Sequence, residues 1–163
     1  MKKYLPILLL FVIPFYYSCV GNDGPNYSDV ASSIYANNNG TGWSASLFDT
    51  LKNDTLTLHA RTKLQLLRLQ FPVSGSSYNL TVANGQYFNY DNTGTNIIKT
   101  FKLDPSYPNT VTAIANNTVN SINEYVTGQF KSRFVIDSAG VNTVTLAFDT
   151  VTFSNGQFTA AYK

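Results

Sequence analysis

One cysteine and one histidine are all that this 163-residue chain carries of the side chains most used for disulfides, metal ligation and nucleophilic catalysis. A lone cysteine excludes an internal disulfide. A lone histidine excludes a zinc site built on several imidazoles. Charge is scarce as well: Asp, Glu, Lys and Arg make up 12% of residues, about half the usual share. No basic stripe is present to follow a phosphate backbone, so no nucleic acid is expected as a partner. Glutamate occurs once, at Glu124, and no apolar run reaches the roughly 18 residues of a membrane-spanning helix. Asn and Thr stand where charge would be. Thr suits strands and Asn suits turns, and an aromatic content of 14% is that of a packed core rather than a disordered stalk.

The longest apolar run, Tyr4 to Tyr17, follows Lys2-Lys3 and ends at Ser18-Cys19. A positive start, a short apolar stretch (Leu5 to Phe15, interrupted by Pro6 and Pro14) and a small residue before the cysteine read as a secretory signal. The ending resembles the lipobox of bacterial lipoproteins, with Tyr16 where Leu is usual and Tyr17 where a small residue is usual. The resemblance implies cleavage before Cys19 and acylation of its thiol. Acyl chains, at about 0.8 kcal/mol per buried CH₂, hold a protein on a membrane without a spanning segment. The expected organisation is a signal-peptide helix over residues 1–18, a flexible tether with lipidated Cys19 over 19–32, and one domain over 33–163. The tether holds Gly21, Asn22, Gly24, Pro25 and Asn26, and Asp23 is the one acidic residue close to Cys19. Several Bacteroidota use an acidic cluster there for surface export, so a lone Asp23 favours the periplasmic face of the outer membrane. Lys2 and Lys3 leave with the signal, and the 11 basic and 9 acidic residues of the precursor then balance.

Short runs of period-two apolar residues fill the rest, separated by turn signals. Trp43, Ala45 and Leu47 alternate after Asn39-Gly40-Thr41-Gly42, and Leu56, Leu58 and Ala60 alternate next. Lys63 to Phe71 changes parity, which predicts a bulge near Leu66-Leu67, with a short helix ended by Pro72 as the rival. Tyr78, Leu80 and Val82 read as a strand. Gln86–Asp91 and Asn96–Leu103 read as a hairpin around Asn92-Thr93-Gly94-Thr95. Further strands are expected at Thr110–Ile114, Thr118–Ile122, Val126–Ile136, Val144–Phe148, Val151–Phe153 and Gln157–Tyr162. Asn123-Glu124, Ser138-Ala139-Gly140 and Ser154-Asn155-Gly156 are the turns among them. The result is an all-β domain of nine or ten strands, an antiparallel β-sandwich or a closed or partly open meander β-barrel. The pattern leaves sandwich and barrel open.

A short motif recurs as Asn84-Gly85-Gln86-Tyr87, Thr127-Gly128-Gln129-Phe130 and Asn155-Gly156-Gln157-Phe158. Its unequal spacing rules out a solenoid repeat. A turn or bulge glycine followed by a strand with a core aromatic accounts for it. Two of these copies, with Asn39–Ala45 and Ser74–Leu80, give a series of motifs that resembles the small Bacteroidota lipoproteins grouped as domain of unknown function 6252. The likeness covers most of residues 33–163. It implies a β-rich envelope domain and brings no assigned activity or functional residues.

Chemistry is sparse. His59 sits on a strand opposite in parity to Leu58 and Ala60, facing solvent, with no metal ligand near it in sequence. A Ser-His-Asp triad would need His59, and no G-x-S-x-G is present. The aspartates fall at strand ends and loops, away from a pair with Glu124 suited to glycoside hydrolysis. Asp91 to Asn96 begins like a calcium loop, but the twelfth position is Lys102 where a bidentate Glu is required. No cofactor, metal site or catalytic residue is therefore expected. Trp43, Tyr87, Tyr90, Tyr107 and Tyr125 are candidates for stacking on a glycan or lining a cavity, the alternative being that such rings are core. Asp49-Thr50-Leu51, Asp54-Thr55-Leu56, Asp137-Ser138-Ala139 and Asp149-Thr150-Val151 repeat an Asp, hydroxyl, apolar pattern. It resembles the O-glycosylation sequon of exported Bacteroidota proteins, placing candidate glycans on Thr50, Thr55, Ser138 and Thr150; strand-start chemistry explains it equally. The expected function is a non-catalytic cell-envelope lipoprotein that binds an envelope protein or glycan partner. A small-ligand barrel for lipid or glycan is the alternative, and an enzyme comes third.

Overall fold

A computed structural model describes residues 32–116, 124–137 and 149–162. Within them the chain forms ten strands. They are β1 (Ser33–Asn38), β2 (Thr41–Lys52), β3 (Thr55–Arg61), β4 (Gln65–Pro72), β5 (Ser77–Asn79), β6 (Gly85–Tyr90), β7 (Ile97–Leu103), β8 (Thr110–Asn116), β9 (Glu124–Ile136) and β10 (Thr150–Tyr162). Every pairing is antiparallel, and β10 bonds to both β1 and β9. That double pairing closes the sheet into a barrel and excludes the sandwich. Closure is reinforced at Asn39, whose amide donates to the Thr152 carbonyl at 2.8 Å while its side-chain oxygen accepts from the Thr152 amide at 2.8 Å.

Eight staves make the ring, because two of them are each built from two strands in line. β7 and β8 both pair with the same edge of β9, Leu103 opposite Phe134 and Thr110 opposite Lys131. Between them residues 104–109 leave the wall. Asn109 spans the break: its amide nitrogen donates to the carbonyls of Asp104 (2.7 Å) and Tyr107 (3.0 Å), and its oxygen accepts from the Arg133 amide (2.7 Å). The Asp104 carboxylate accepts from Arg133 Nε at 2.8 Å and from the Ser106 hydroxyl and amide. Those Ser106 contacts, followed by the hydrogen bond and then the charge of Arg133, hold the Asp104 carboxyl below the usual carboxylate range. β5 and β6 form the neighbouring stave in the same way, interrupted by a 3-10 turn at Val82–Asn84.

Alternation puts the core inside. Leu56, Leu58 and Ala60 of β3 and Leu67, Leu69 and Phe71 of β4 are buried, as the period-two reading requires. An eight-stave barrel has room for side chains or one small ligand. Here rings occupy it. Phe153 lies 5.0 Å from Trp43, 5.5 Å from Tyr87, 6.0 Å from Phe134 and 6.4 Å from Phe130, centroid to centroid, within the range of favourable aromatic pairs. The Ser132 hydroxyl, buried on β9 between Phe130 and Phe134, has no hydrogen-bond partner, which is a local cost to stability.

Several local expectations are corrected. No bulge occurs at Leu66-Leu67 and no helix forms there: β4 pairs with β3 in unbroken register, Leu66 stays on the outer face, and Leu64 is exposed in the preceding turn. Tyr78-Leu80-Val82 is not one strand, since pairing stops at Asn79 and Val82 begins the 3-10 turn. Ser154-Asn155-Gly156 is a bulge inside β10 rather than a turn, with Asn155 at φ 51°. Glu124 begins β9 rather than ending a turn, and β1 is a strand that the sequence pattern did not reveal. The strands expected at 118–122 and 144–148, the turn at 138–140, and the signal and tether up to residue 31 lie outside the described residues.

Candidate functional site

The recurring Gly-Gln-aromatic motif builds the site. In each copy the aromatic is buried, Tyr87, Phe130 and Phe158, so strand alternation sends the glutamine outward. Two copies lie against each other in β9 and β10, with Gly128 opposite Phe158, Gln129 opposite Gln157 and Phe130 opposite Gly156. Each phenylalanine ring occupies the space that a side chain on the facing glycine would need. A Cβ on Gly128 would sit 2.3 Å from the Phe158 ring, and one on Gly156 would sit 2.4 Å from the Phe130 ring. Gly128 is therefore neither a turn nor a bulge residue, and ring-over-glycine packing explains it.

On the outside, pairing registers align outward residues, polar but for Ile114, in two rows across five strands. One row runs Thr112, Gln129, Gln157, Tyr35, Ser44; the next runs Ile114, Thr127, Thr159, Ser33, Ser46. At the usual inter-strand spacing each row is about 19 Å long. The surface along them is concave. A central hollow of about 520 Å³ is lined by Ser33, Tyr35, Thr112, Ile114, Thr127, Gly128, Gln129, Gln157, Phe158 and Thr159. It shares Tyr35 with a hollow of about 590 Å³ over β1 and β2, and Thr112 and Gln129 with one of about 260 Å³ beside Tyr107. Together they form one trough. Tyr35, 59% exposed, stands in it with open space on both sides. The central lining carries no charge. Lys131 stands at one end, and Arg61 at the other.

The aromatic candidates separate. Tyr87 is fully buried against Phe101, Phe134 and Phe153, its burial raising the phenol pKa against a hydrogen bond to Asn38, so it is core and not a stacking surface. Trp43 points inward over Phe153 and donates Nε1–H to Gln65 Oε1 at 2.7 Å, a plug rather than a platform. Tyr90 has the Arg61 guanidinium 3.5 Å over its ring, with Arg61 also donating to the Gly94 carbonyl. Tyr107 lines the trough end, with Arg133 4.5 Å over one face. Tyr125, half-buried, shares the outward parity of Thr127 and Gln129. The sequence reading missed Tyr35, Gln129 and Gln157. The glutamines were visible as the middle residue of a motif whose neighbours point inward.

The other candidates are spread over the surface. Thr50 is exposed on β2 and Thr150 half-buried at the start of β10. Thr55 follows a tight turn in which Asn53 and Asp54 both take positive φ (49° and 57°), so turn geometry accounts for Asp54-Thr55. Cys19 and Ser138 lie outside the described residues. His59 is on the outer face of β3, opposite Phe48 and Arg68. Partial burial, then the Arg68 charge, lower its pKa. Asp49 accepts from Ser32 at 2.8 Å, and burial raises its pKa.

Asp91 anchors the β6–β7 hairpin expected there. Its carboxylate accepts from the Thr93 hydroxyl (2.6 Å), the Asn96 side chain (2.7 Å) and the amides of Gly94, Thr95 and Asn96. These bonds, Thr93 first, hold its pKa far below the usual range. A depressed carboxyl stabilises the fold fully above its unfolded pKa, near 3.8, and loses that contribution as pH falls through the folded value. Asp91→Asn is thus expected to lower the thermal midpoint at pH 7, with the deficit shrinking between about pH 4 and pH 2. An equal deficit at both ends in calorimetry would contradict this role.

Among the described residues no group of three or more His, Cys, Asp or Glu side chains is placed to hold a metal ion, and no helix is long and apolar enough to cross a membrane. Comparisons with protein families, curated proteins and solved structures give no match to this chain.

Proposed function

We propose that the protein is a non-catalytic lipoprotein of the bacterial outer membrane, held through Cys19, whose barrel presents the trough on β8, β9, β10, β1 and β2 as a binding surface. The periplasmic face is favoured, since Asp23 is alone beside Cys19. The observation that carries the reading is the division of the barrel: the inside is taken up by side chains, and the outside has a long concavity with an uncharged centre. The likeness of the sequence motifs to Bacteroidota envelope domains supports the same location. The state of the ionisable groups supports a non-catalytic role. Asp91 and Asp104 are committed to loop hydrogen bonds, and His59 faces out beside Arg68. The interior packing also moves the small-ligand alternative from the barrel lumen to the outer wall.

Labelling with palmitate in a Gram-negative host tests the anchor. The wild-type chain should take up label and fractionate with outer membrane, while Cys19→Ala should take up none and appear in the soluble periplasmic fraction. An unlabelled wild-type chain, or identical fractionation of both forms, would overturn the assignment.

A further inference from the structure

We propose that the trough binds a neutral oligosaccharide lying across the strands, with Tyr35 as the stacking platform and the Gln129–Gln157 pair as the hydroxyl-reading group. This inference deepens the binding role proposed above and names its ligand class. Three observations carry it.

The first is chemical. The central lining offers amides, hydroxyls and one well-exposed phenol ring beside the apolar Ile114, with no ionisable side chain apart from that phenol. Primary amides supply both donors and acceptors, which matches hydroxyl groups that do both. An aromatic face takes the apolar side of a sugar ring. No carboxylate lines any of the three hollows, and the two cations stand only at the ends. A cationic ligand would find no counter-charge, and an anionic one would find its partners at the extremities alone.

The second is geometric. The rows cross five strands in register, so a linear ligand along the row from Thr112 to Ser44 would meet one polar side chain per strand. Tyr35 faces Gln157 on one side and Ser44 on the other, which places the ring within the row between an amide and a hydroxyl.

The third concerns the rival occupant, an extended peptide. Strand addition needs a free sheet edge. The central floor of the trough, on β9, β10 and β1, is hydrogen-bonded to a neighbouring strand on both sides, and β8 pairs with β9 along its length and with β5 at Thr110–Thr112. A peptide over that central floor would gain no ladder bonds, whereas a glycan needs none. Packing of rings over Gly128 and Gly156 also keeps the floor rigid beneath the two glutamines, which limits the ordering cost on binding.

The test uses the full chain, purified from membranes in detergent, in native affinity electrophoresis. The gels contain in turn soluble neutral polysaccharides (a β-glucan, an α-glucan, a mannan and a xylan) and the acidic polygalacturonate. At least one neutral polymer is expected to retard the protein, and polygalacturonate to have no effect. Tyr35→Ala, and separately Gln129→Ala with Gln157→Ala, should weaken retardation about tenfold with an unchanged melting midpoint. Phe48→Ala removes an equally exposed ring on β2 outside the trough and should change nothing. Retardation by none of the neutral polymers, preference for the acidic one, or indifference to Tyr35→Ala would each overturn the proposal. Membrane anchoring is read independently by palmitate labelling, so loss of the glycan proposal leaves that result standing. Cross-linking to a protein through the trough, with no glycan bound, would replace the ligand class and keep the binding surface.

Discussion

Gly128→Val is expected to leave the barrel unable to close. Its Cβ would lie 2.3 Å from the Phe158 ring and 2.3 Å from the backbone carbonyl oxygen of Thr112. The ring has little free volume to retreat into, with Phe71 5.7 Å away. The carbonyl belongs to β8 beside it and cannot turn aside without leaving the ladder. Overpacking in a dense core costs about 1–3 kcal/mol and more when backbone must move, so a loss of at least about 3 kcal/mol is expected, visible as insoluble expression or a far lower urea midpoint. Gly156→Ala is the informative comparison. There the close atoms are ring atoms of Phe130 alone, and Gly156→Ala combined with Phe130→Leu should recover much of the stability. Shrinking Phe158 should recover less for Gly128→Val, since Thr112 remains. Equal rescue at both positions would contradict the register that sets the two glycines under each other's rings.

The second large effect is at Asn109. Asn109→Ala leaves the Arg133 amide without its acceptor and takes one of two donors from each of the Asp104 and Tyr107 carbonyls, in a site where Asn109 itself is 3% exposed. Leaving buried polar groups unpaired costs about 1–3 kcal/mol each, less where water reaches them. A loss of about 2 kcal/mol is expected, or roughly 6 °C in melting midpoint for a domain of this size. Hydrogen exchange should show where it falls, with the protection of Arg133 and its neighbours on β9 lowered most. A change under 1 kcal/mol would mean that the β7–β8 break is held by Asp104 and Arg133 alone.

These two positions also mark what sequence can and cannot show. β3 is legible because Leu56, Leu58 and Ala60 alternate without interruption, and the structure buries all three. The meander follows from short turns such as Asn39-Gly40 and Asn53-Asp54. The bulge at Ser154-Asn155-Gly156 reads as a turn because the same residues make either, and only pairing with β9 on both sides of it distinguishes them. β1 is hidden because its two buried residues, Ile34 and Ala36, are flanked by Ser and Asn. The two composite staves are invisible for a further reason: their continuity depends on β9 and on each other, and the chain between their halves looks like any loop. For the site, the outward glutamines follow from parity within one motif. Their alignment with Tyr35 does not, since it requires β1 to close against β10 near the far end of the chain.

The central claim is that this barrel binds on its wall and not in its lumen. Methyl and side-chain amide NMR of the labelled protein, titrated with soluble oligosaccharides of the same neutral classes, addresses it in one experiment. The expected result is movement of the Gln129 and Gln157 amide signals and of the Tyr35 ring, with the methyls of Leu58, Leu67, Leu69 and Val126 unmoved. Shifts concentrated in those interior methyls, or no shifts with any oligosaccharide, would contradict it.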